Sequence, residues 1–313
     1  LALRASIEHK DVEIVALNTS ASAGQLAHLI KYDSTHAIAP FKISASNNAL
    51  KINDLEIPIL NYKQTNQIPW PTDTDIVLEC SGRLNTKELA AQHNAKRVLV
   101  SSPCKNVDAT IVLGVNQNLL SRDMRVISVG SCTTNALAPI AKILHEDFQI
   151  QAGYVTTVHA YTFDQNLLDN FHEDIRRSRS ATTSMIPTKS GISSALQQVL
   201  PELSTRITGS AIRVPVPNVS LIDFSFTSSK ALNKEAINNA ITQRSATSMK
   251  GIVAIAQDQQ VSIDFNHTTF SSILDPFETN TVGEYFARVL AWYDNEWAFV
   301  NRMIDVAKLF IRC

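Results

Sequence analysis

The sequence predicts an α/β protein of two domains, a doubly wound parallel sheet followed by an α+β domain whose sheet is largely antiparallel. Three observations carry this. A chain of 313 residues that is 44% hydrophobic is too long for one ordinary core and long enough for two domains of common size. Ahead of Ser131, short runs of β-branched and Leu residues alternate with helical patterns, and parallel neighbours need a crossover that is usually a helix. Beyond Cys132 the strand patterns lengthen, and Ile222, Phe224 and Phe226 alternate with Asp223 and Ser225, the period of a sheet with one wet face.

Taken in order, Glu13 to Leu17, Ile76 to Cys80, Arg97 to Ser101, Thr110 to Leu113 and Val126 to Ser128 have the length and composition of buried strands. Leu26, Leu29 and Ile30 fall at helical spacing, and Thr86 to His93 reads as a further helix. Sheets of this kind bind ligands at the carboxyl ends of their strands. A helical pattern carrying Leu137, Ile140, Ala141 and Leu144 opens the second domain. It leads into strands over Gly153 to Ala160, Ser210 to Val214, Val219 to Phe226 and Gly251 to Ile255. Ile304 to Phe310 closes the chain as a mostly apolar helix, expected to return to the first domain. The expected division is therefore residues 1–131, completed by 296–313, and residues 132–295.

Lys and Arg total 28 against 29 Asp and Glu, a formal net charge of -1. No field of one sign draws in nucleic acid or an acidic membrane surface, so recognition of anions has to be local. The four cysteines, Cys80, Cys104, Cys132 and Cys313, form no C-x-x-C pair and no regular spacing, which indicates neither a metal site nor a disulfide framework. A reducing cytoplasm fits that pattern. No apolar run reaches the roughly 18 residues of a membrane span, and Leu1 to Lys10 lacks the basic-then-apolar order of a signal peptide.

The chemistry points to two places. Cys132 lies in Ser131-Cys132-Thr133-Thr134-Asn135 just ahead of a helix, where unpaired backbone N–H groups favour a thiolate and a lowered pKa is expected. Thr156-Thr157-Val158-His159-Ala160 is a β-rich run ending in a histidine. A lone buried cysteine is more often inert, and a lone strand-end histidine more often structural. Together they make a Cys/His pair possible, though sequence separation does not place them in contact.

Five ordered motifs sharpen this: Ser131-Cys132-Thr133-Thr134-Asn135, His159-Ala160-Tyr161-Thr162, Arg176-Arg177-Ser178-Arg179, Ile212-Arg213-Val214-Pro215 and Trp292-Tyr293-Asp294-Asn295-Glu296. In order and spacing they resemble the phosphorylating glyceraldehyde-3-phosphate dehydrogenase family, along nearly the whole chain. Ala27-His28-Leu29-Ile30-Lys31-Tyr32-Asp33 and Gly114-Val115-Asn116 extend the likeness. The resemblance implies that the first domain binds a dinucleotide and the second carries catalysis. It makes Cys132 the nucleophile toward an aldehyde and His159 the base that takes the thiohemiacetal proton as hydride leaves, giving a thioester that inorganic phosphate attacks. Arg213 and Thr162 match positions for the substrate phosphate. Arg179, Ser131, Thr133, Ser190 and Gly191 match the region receiving the attacking phosphate, whereas Arg176 and Arg177 could equally form a solvated basic face. Asn18, Thr19, Ser81, Gly82, Ser101 and Asn295 match cofactor positions, Asn295 as the holder of the nicotinamide amide. A homotetramer is implied, with Thr162 to Met185 in the interface.

Two departures stand out. The family opens with a strand and a G-x-G-x-x-G turn for the pyrophosphate, and this chain contains neither that motif nor more than nine glycines. Leu1 to His9 resembles the helix that follows the turn, so about a dozen residues are expected ahead of Leu1. Second, Thr19 stands where NAD-preferring relatives place Asp; without a carboxylate to bind the ribose hydroxyls and repel a 2′-phosphate, either NADP or NAD fits. Erythrose-4-phosphate dehydrogenase is the nearest enzymatic rival, sharing Asn295-Glu296-Trp297 and Asp108-Ala109-Thr110, but it tends to lose the Thr retained here as Thr162. A non-catalytic binding protein of the same fold predicts decay of the active site, and Cys132, His159, Thr162, Arg179 and Arg213 all remain.

Overall fold

The structure, a computed structural model, describes every residue from Leu1 to Cys313. Two compact units emerge: Leu1–Thr110 with Leu119–Val129 and Val300–Cys313, and Ile111–Asn118 with Gly130–Phe299.

In the first unit, α1 (Ala2–Glu8) buries Arg4, whose guanidinium donates to the carbonyls of Ile30 at 2.8 Å and Ala37 at 2.8 Å, and also reaches Lys31 and His36. These include the orphan carbonyls at the end of α2 (Ala23–Lys31), so one buried cation caps that helix. Between the two helices lies β1 (Leu17–Asn18). After α2 come a short hairpin of β2 (Tyr32–Asp33) with β3 (Ala37–Ile38), then β4 (Ile43–Ser46), β5 (Ala49–Ile52) and β6 (Leu55–Leu60). One sheet runs β1-β6-β5-β4, with β1 and β6 parallel and the rest antiparallel. The strand expected over Glu13 to Leu17 shrinks to Leu17–Asn18, because only these residues find a ladder partner, Ile59 and Leu60.

The second sheet of this unit is wholly parallel and runs β7-β8-β10-β9, from β7 (Val77–Glu79), β8 (Val98–Val100), β9 (Ala109–Thr110) and β10 (Val126–Ser128). All three residues of β8 and all three of β10 are buried, as the unbroken apolar runs predict. The helix expected over Thr86 to His93 is shorter, α3 (Lys87–Ala90), with Thr86 Oγ1 accepting from the Leu89 amide as its cap.

The second unit begins its regular structure with α4 (Cys132–Phe148) and β11 (Ile150–Ala160). There follow β12 (Ile186–Lys189), α5 (Ile192–Val199), β13 (Ile207–Val214), β14 (Ser220–Ser228), α6 (Lys234–Ala246), β15 (Val253–Ile255), β16 (Ser272–Val282) and β17 (Phe286–Tyr293). The last helix, α7 (Trp297–Arg312), belongs to the first unit from Val300 onward. The seven strands form one sheet in the order β12-β13-β11-β14-β17-β16-β15, antiparallel except for β11 with β13 and β15 with β16. Burial alternates along all of β14, placing Ile222, Phe224 and Phe226 in a core with Leu137, Ile140 and Leu144 of α4. Val112 and Val115 join that core, and Lys142 donates to the Val115 carbonyl at 2.9 Å, which explains why Ile111–Asn118 travels with this unit. Gly209 is required where β13 meets β11: a Cβ there would lie 2.2 Å from the Val155 carbonyl oxygen. No helix is long and apolar enough to cross a membrane.

Candidate active site

Strand register does the first part of the assembly. Pairing of β11 with β13 sets His159 directly beside Arg213 at the carboxyl ends of both strands. Cys132 is the first residue of α4, whose N-cap Ser131 accepts from the Thr134 amide at 3.1 Å. Its sulfur lies 3.4 Å from His159 Nε2, within hydrogen-bonding distance for a thiol. The other ring nitrogen, Nδ1, is 2.6 Å from the Ala160 carbonyl and 2.8 Å from Arg213 Nη1. With Nδ1–H donating to Ala160, Nε2 keeps its lone pair toward the sulfur, the tautomer a base needs; with Nδ1 accepting from Arg213 instead, Nε2–H faces the sulfur. Arg213 Nη1 also donates to the Ala160 carbonyl at 2.9 Å and to Thr162 Oγ1 at 3.2 Å, while Arg213 Nε is buried without a protein partner.

The electrostatics depart from the expectation of a preformed thiolate. Burial pushes the Cys132 thiol above its usual pKa; the Arg213 cation and the Thr133 amide pull the other way but do not overcome it. Burial, then the charge of Arg213, pushes His159 down to about 4. The pair therefore rests as neutral thiol and neutral imidazole at neutral pH. A helix N-terminus is visible in a sequence; the desolvation that outweighs it is not. What the geometry offers is a base aimed at a proton, so sulfur attack and proton transfer to Nε2 can proceed together.

Around this pair, Thr133 Oγ1 is 3.0 Å from the hydroxyl of Tyr293, which also meets Thr157 Oγ1 at 2.8 Å and lies edge-on to the His159 ring. Burial raises the Tyr293 hydroxyl, so it remains a neutral donor. Asn295, two residues past β17, is buried and accepts from the Ser220 hydroxyl at 2.8 Å. Ser190 and Gly191 stand between β12 and α5, with Gly191 as N-cap of that helix. Arg179 does not join the cluster: it pairs with Asp169 at 2.7 Å, both largely exposed. Arg177 takes the inner place, bonded to Asp164 and, at 3.1 Å, to Thr188 Oγ1; Asp164 in turn accepts from Thr162. Burial would raise the Asp164 carboxyl, but Thr162 and Arg177 hold it below the ordinary range. The sequence left Arg177 undecided, and the companion carboxylate of Asp164 was the missed signal.

The cofactor candidates of the first unit sit where its parallel strands end. Ser81 and Gly82 follow β7, Gly82 at φ 70° with no heavy atom within 4 Å of where a Cβ would stand, so the backbone is open to a close-lying ligand. Buried Glu79 shapes this turn, accepting from the Ser81 amide at 2.7 Å and from His93 Nε2 at 2.9 Å. Ser101 follows β8. Asn18 spends both amide groups on the Tyr62 backbone, accepting at 3.0 Å and donating at 3.1 Å, so its side chain shapes the loop. Thr19 follows, its hydroxyl accepting from the Ala21 amide at 3.2 Å.

A parallel-sheet unit with an open glycine turn at its strand ends, joined in one chain to a mixed-sheet unit bearing a thiol and an imidazole, defines an NAD(P)-dependent oxidoreductase. Profiles described as "Glyceraldehyde 3-phosphate dehydrogenase, NAD binding domain" and "Glyceraldehyde 3-phosphate dehydrogenase, C-terminal domain" match residues 1–87 and 131–295. The chain belongs to the glyceraldehyde-3-phosphate dehydrogenase family. It is 42% identical over 310 residues to glyceraldehyde-3-phosphate dehydrogenase of Cereibacter sphaeroides, covering 97% of this chain and 93% of that protein. The chromosomal enzyme of Cupriavidus necator is 45% identical over 302 residues, 95% and 90% of the two chains, and that of Geobacillus stearothermophilus 42% over 309, 97% and 92%.

Proposed function

We propose that the chain catalyses the reversible, phosphorylating oxidation of glyceraldehyde 3-phosphate to 1,3-bisphosphoglycerate. The observation that carries this is the 3.4 Å approach of Cys132 Sγ to His159 Nε2, with Arg213 and Thr162 alongside as an anion site. Cys132 attacks the aldehyde carbon and its proton passes to the carbonyl oxygen by way of His159. His159 Nε2 then accepts the hydroxyl proton of the thiohemiacetal as its C–H bond breaks, leaving a thioester on Cys132. Bound NAD or NADP supplies the acceptor for that hydride. An oxygen of inorganic phosphate adds to the thioester carbonyl, and the C–S bond breaks to release the acyl phosphate and regenerate the cysteine.

Arg213 holds the substrate phosphate with its planar fork, and Thr162 joins it by turning its hydroxyl proton from Asp164 to the phosphate. Ser131, Thr133, Ser190 and Gly191 lie toward the attacking phosphate, with Arg177 supported over Arg179 by its inward pairing. Asn295 receives the nicotinamide amide, and Thr19, Ser81, Gly82 and Ser101 line the dinucleotide's path. Residues 1–131 with 296–313 serve chiefly the cofactor and 132–295 chiefly the chemistry, Ser131 and Asn295 being the exceptions on either side. The open turn at Gly82 fits the close approach of a dinucleotide. Four free cysteines suit a reducing cytoplasm. Erythrose 4-phosphate is the competing substrate; the placement of Thr162 beside Arg213 supports the shorter aldehyde. The test is to mix enzyme, aldehyde and cofactor without phosphate and record the intact mass. A phosphoglyceroyl adduct on Cys132 that phosphate discharges is expected, and turnover with no such adduct would overturn the mechanism.

A homotetramer accompanies this reading, since Phe163, Leu168, Phe171, Ile175 and Met185 all project apolar surface from one segment. Light scattering at micromolar concentration should report four chains; a monomer would count against it. For the cofactor, Thr19 supplies no carboxylate to the ribose site. Introducing one, Thr19→Asp, should shift kcat/KM toward NAD over NADP by roughly one to two orders of magnitude, the worth of a charged hydrogen bond plus repulsion of the 2′-phosphate. A ratio unchanged within about threefold would remove Thr19 as discriminator.

A further inference from the structure

We infer that Ser220 is a positioning residue for the nicotinamide, fixing which end of the Asn295 amide faces the ring. The inference rests on Asn295 being the holder of the carboxamide. Ser220 is 1% exposed and opens β14, opposite Tyr293. Its hydroxyl oxygen accepts from the Ala160 amide at 3.0 Å and its proton goes to Asn295 Oδ1 at 2.8 Å. The link therefore runs from the residue after His159, through one buried hydroxyl, to the side chain proposed to hold the ring that accepts hydride.

With Oδ1 committed to Ser220, what the amide offers a ligand is its Nδ2–H2 donor pair. Its partner is then the carbonyl oxygen of the carboxamide, not the carboxamide nitrogen. An unrestrained asparagine could present either end, and the carboxamide could pair with either after turning over; donation of the Ser220 proton to Oδ1 favours the orientation that turns Nδ2 to the ligand. Backbone strain marks the same place. Val219, immediately before Ser220, is 2% exposed and sits at φ 65°, a left-handed conformation that a β-branched residue adopts only at a cost. The surrounding structure holds Val219 there, beside the residue whose hydroxyl meets Ala160 and Asn295.

The test is calorimetric binding of NAD and of ADP-ribose, which lacks the ring, to full-length wild type, Ser220→Ala, Asn295→Ala and the double variant. Ser220→Ala should weaken NAD about tenfold, as for loss of one buried hydrogen bond that orients a second. ADP-ribose should be unaffected, and Ser220→Ala should add less than about twofold once Asn295 is Ala. Ser220→Thr, which keeps the hydroxyl, should restore most of the affinity. NAD affinity lost in Asn295→Ala but intact in Ser220→Ala would overturn the role of Ser220 alone. Equal weakening of NAD and ADP-ribose would also overturn it, as a general disturbance. If Asn295→Ala itself binds NAD like wild type, the reading of Asn295 has failed and the inference falls with it.

Discussion

Replacing His159 with Asn is expected to lower kcat by about a hundred- to ten-thousand-fold, the range for loss of a positioned general base. KM for the aldehyde should change little, because Arg213 and Thr162 remain to hold its phosphate. Since burial and Arg213 push His159 down to about 4, the base is unprotonated throughout neutral pH. The same displacement makes a statement about stability. In the unfolded chain this histidine titrates near 6.5, so between about 6.5 and 4 the unfolded state binds more protons than the folded one. The stability that neutral His159 contributes is complete above the unfolded pKa and is lost as pH falls through that window to the folded value. Urea titrations of wild type and His159→Asn at pH near 7 and near 4.5 should therefore show the gap between them narrowing in acid. A gap of constant size would mean that His159 is not depressed in the folded protein.

How far the site could be read in advance depends on which physical quantity each part expresses. Local periodicity located β10 to the residue, and the helix opening at Cys132 followed from its sequence setting. The juxtaposition of His159 with Arg213 required the register of β11 on β13, and a one-residue slip would have turned either side chain to the other face. The inward turn of Arg177, the neighbours of Tyr293 and the Ser220 link depend on residues far apart in the chain, so no spacing rule announces them. The thiol's raised pKa belongs to the same class: the helix terminus is local, while the burial that outweighs it comes from the fold. The antiparallel ladder from Ile43 to Leu60 went unread for another reason. Its strands are short and its exposed residues frequent, leaving a weak alternating pattern.

Arg213→Leu separates the two duties that the geometry assigns to one side chain. As a phosphate partner, the guanidinium is half-buried and charged, so its loss should lower kcat/KM for glyceraldehyde 3-phosphate by roughly a hundred- to a thousandfold. The uncharged aldehyde glyceraldehyde should lose far less, since it has no phosphate to bind. As a neighbour of the base, Arg213 is the second cause of the low His159 pKa, and Nη1 stands 2.8 Å from Nδ1. Removing the cation should raise that pKa, so the acidic limb of kcat/KM against pH moves upward from about 4 toward the ordinary histidine value. Arg213→Lys divides these effects. It keeps the charge but loses the fork, so the phosphate-dependent loss should persist while the acidic limb stays near its wild-type position. Profiles for the three proteins with both aldehydes decide the matter. Equal losses for charged and uncharged substrates would exclude Arg213 as the phosphate partner, and an unmoved limb in the Leu variant would exclude its charge as a determinant of the base.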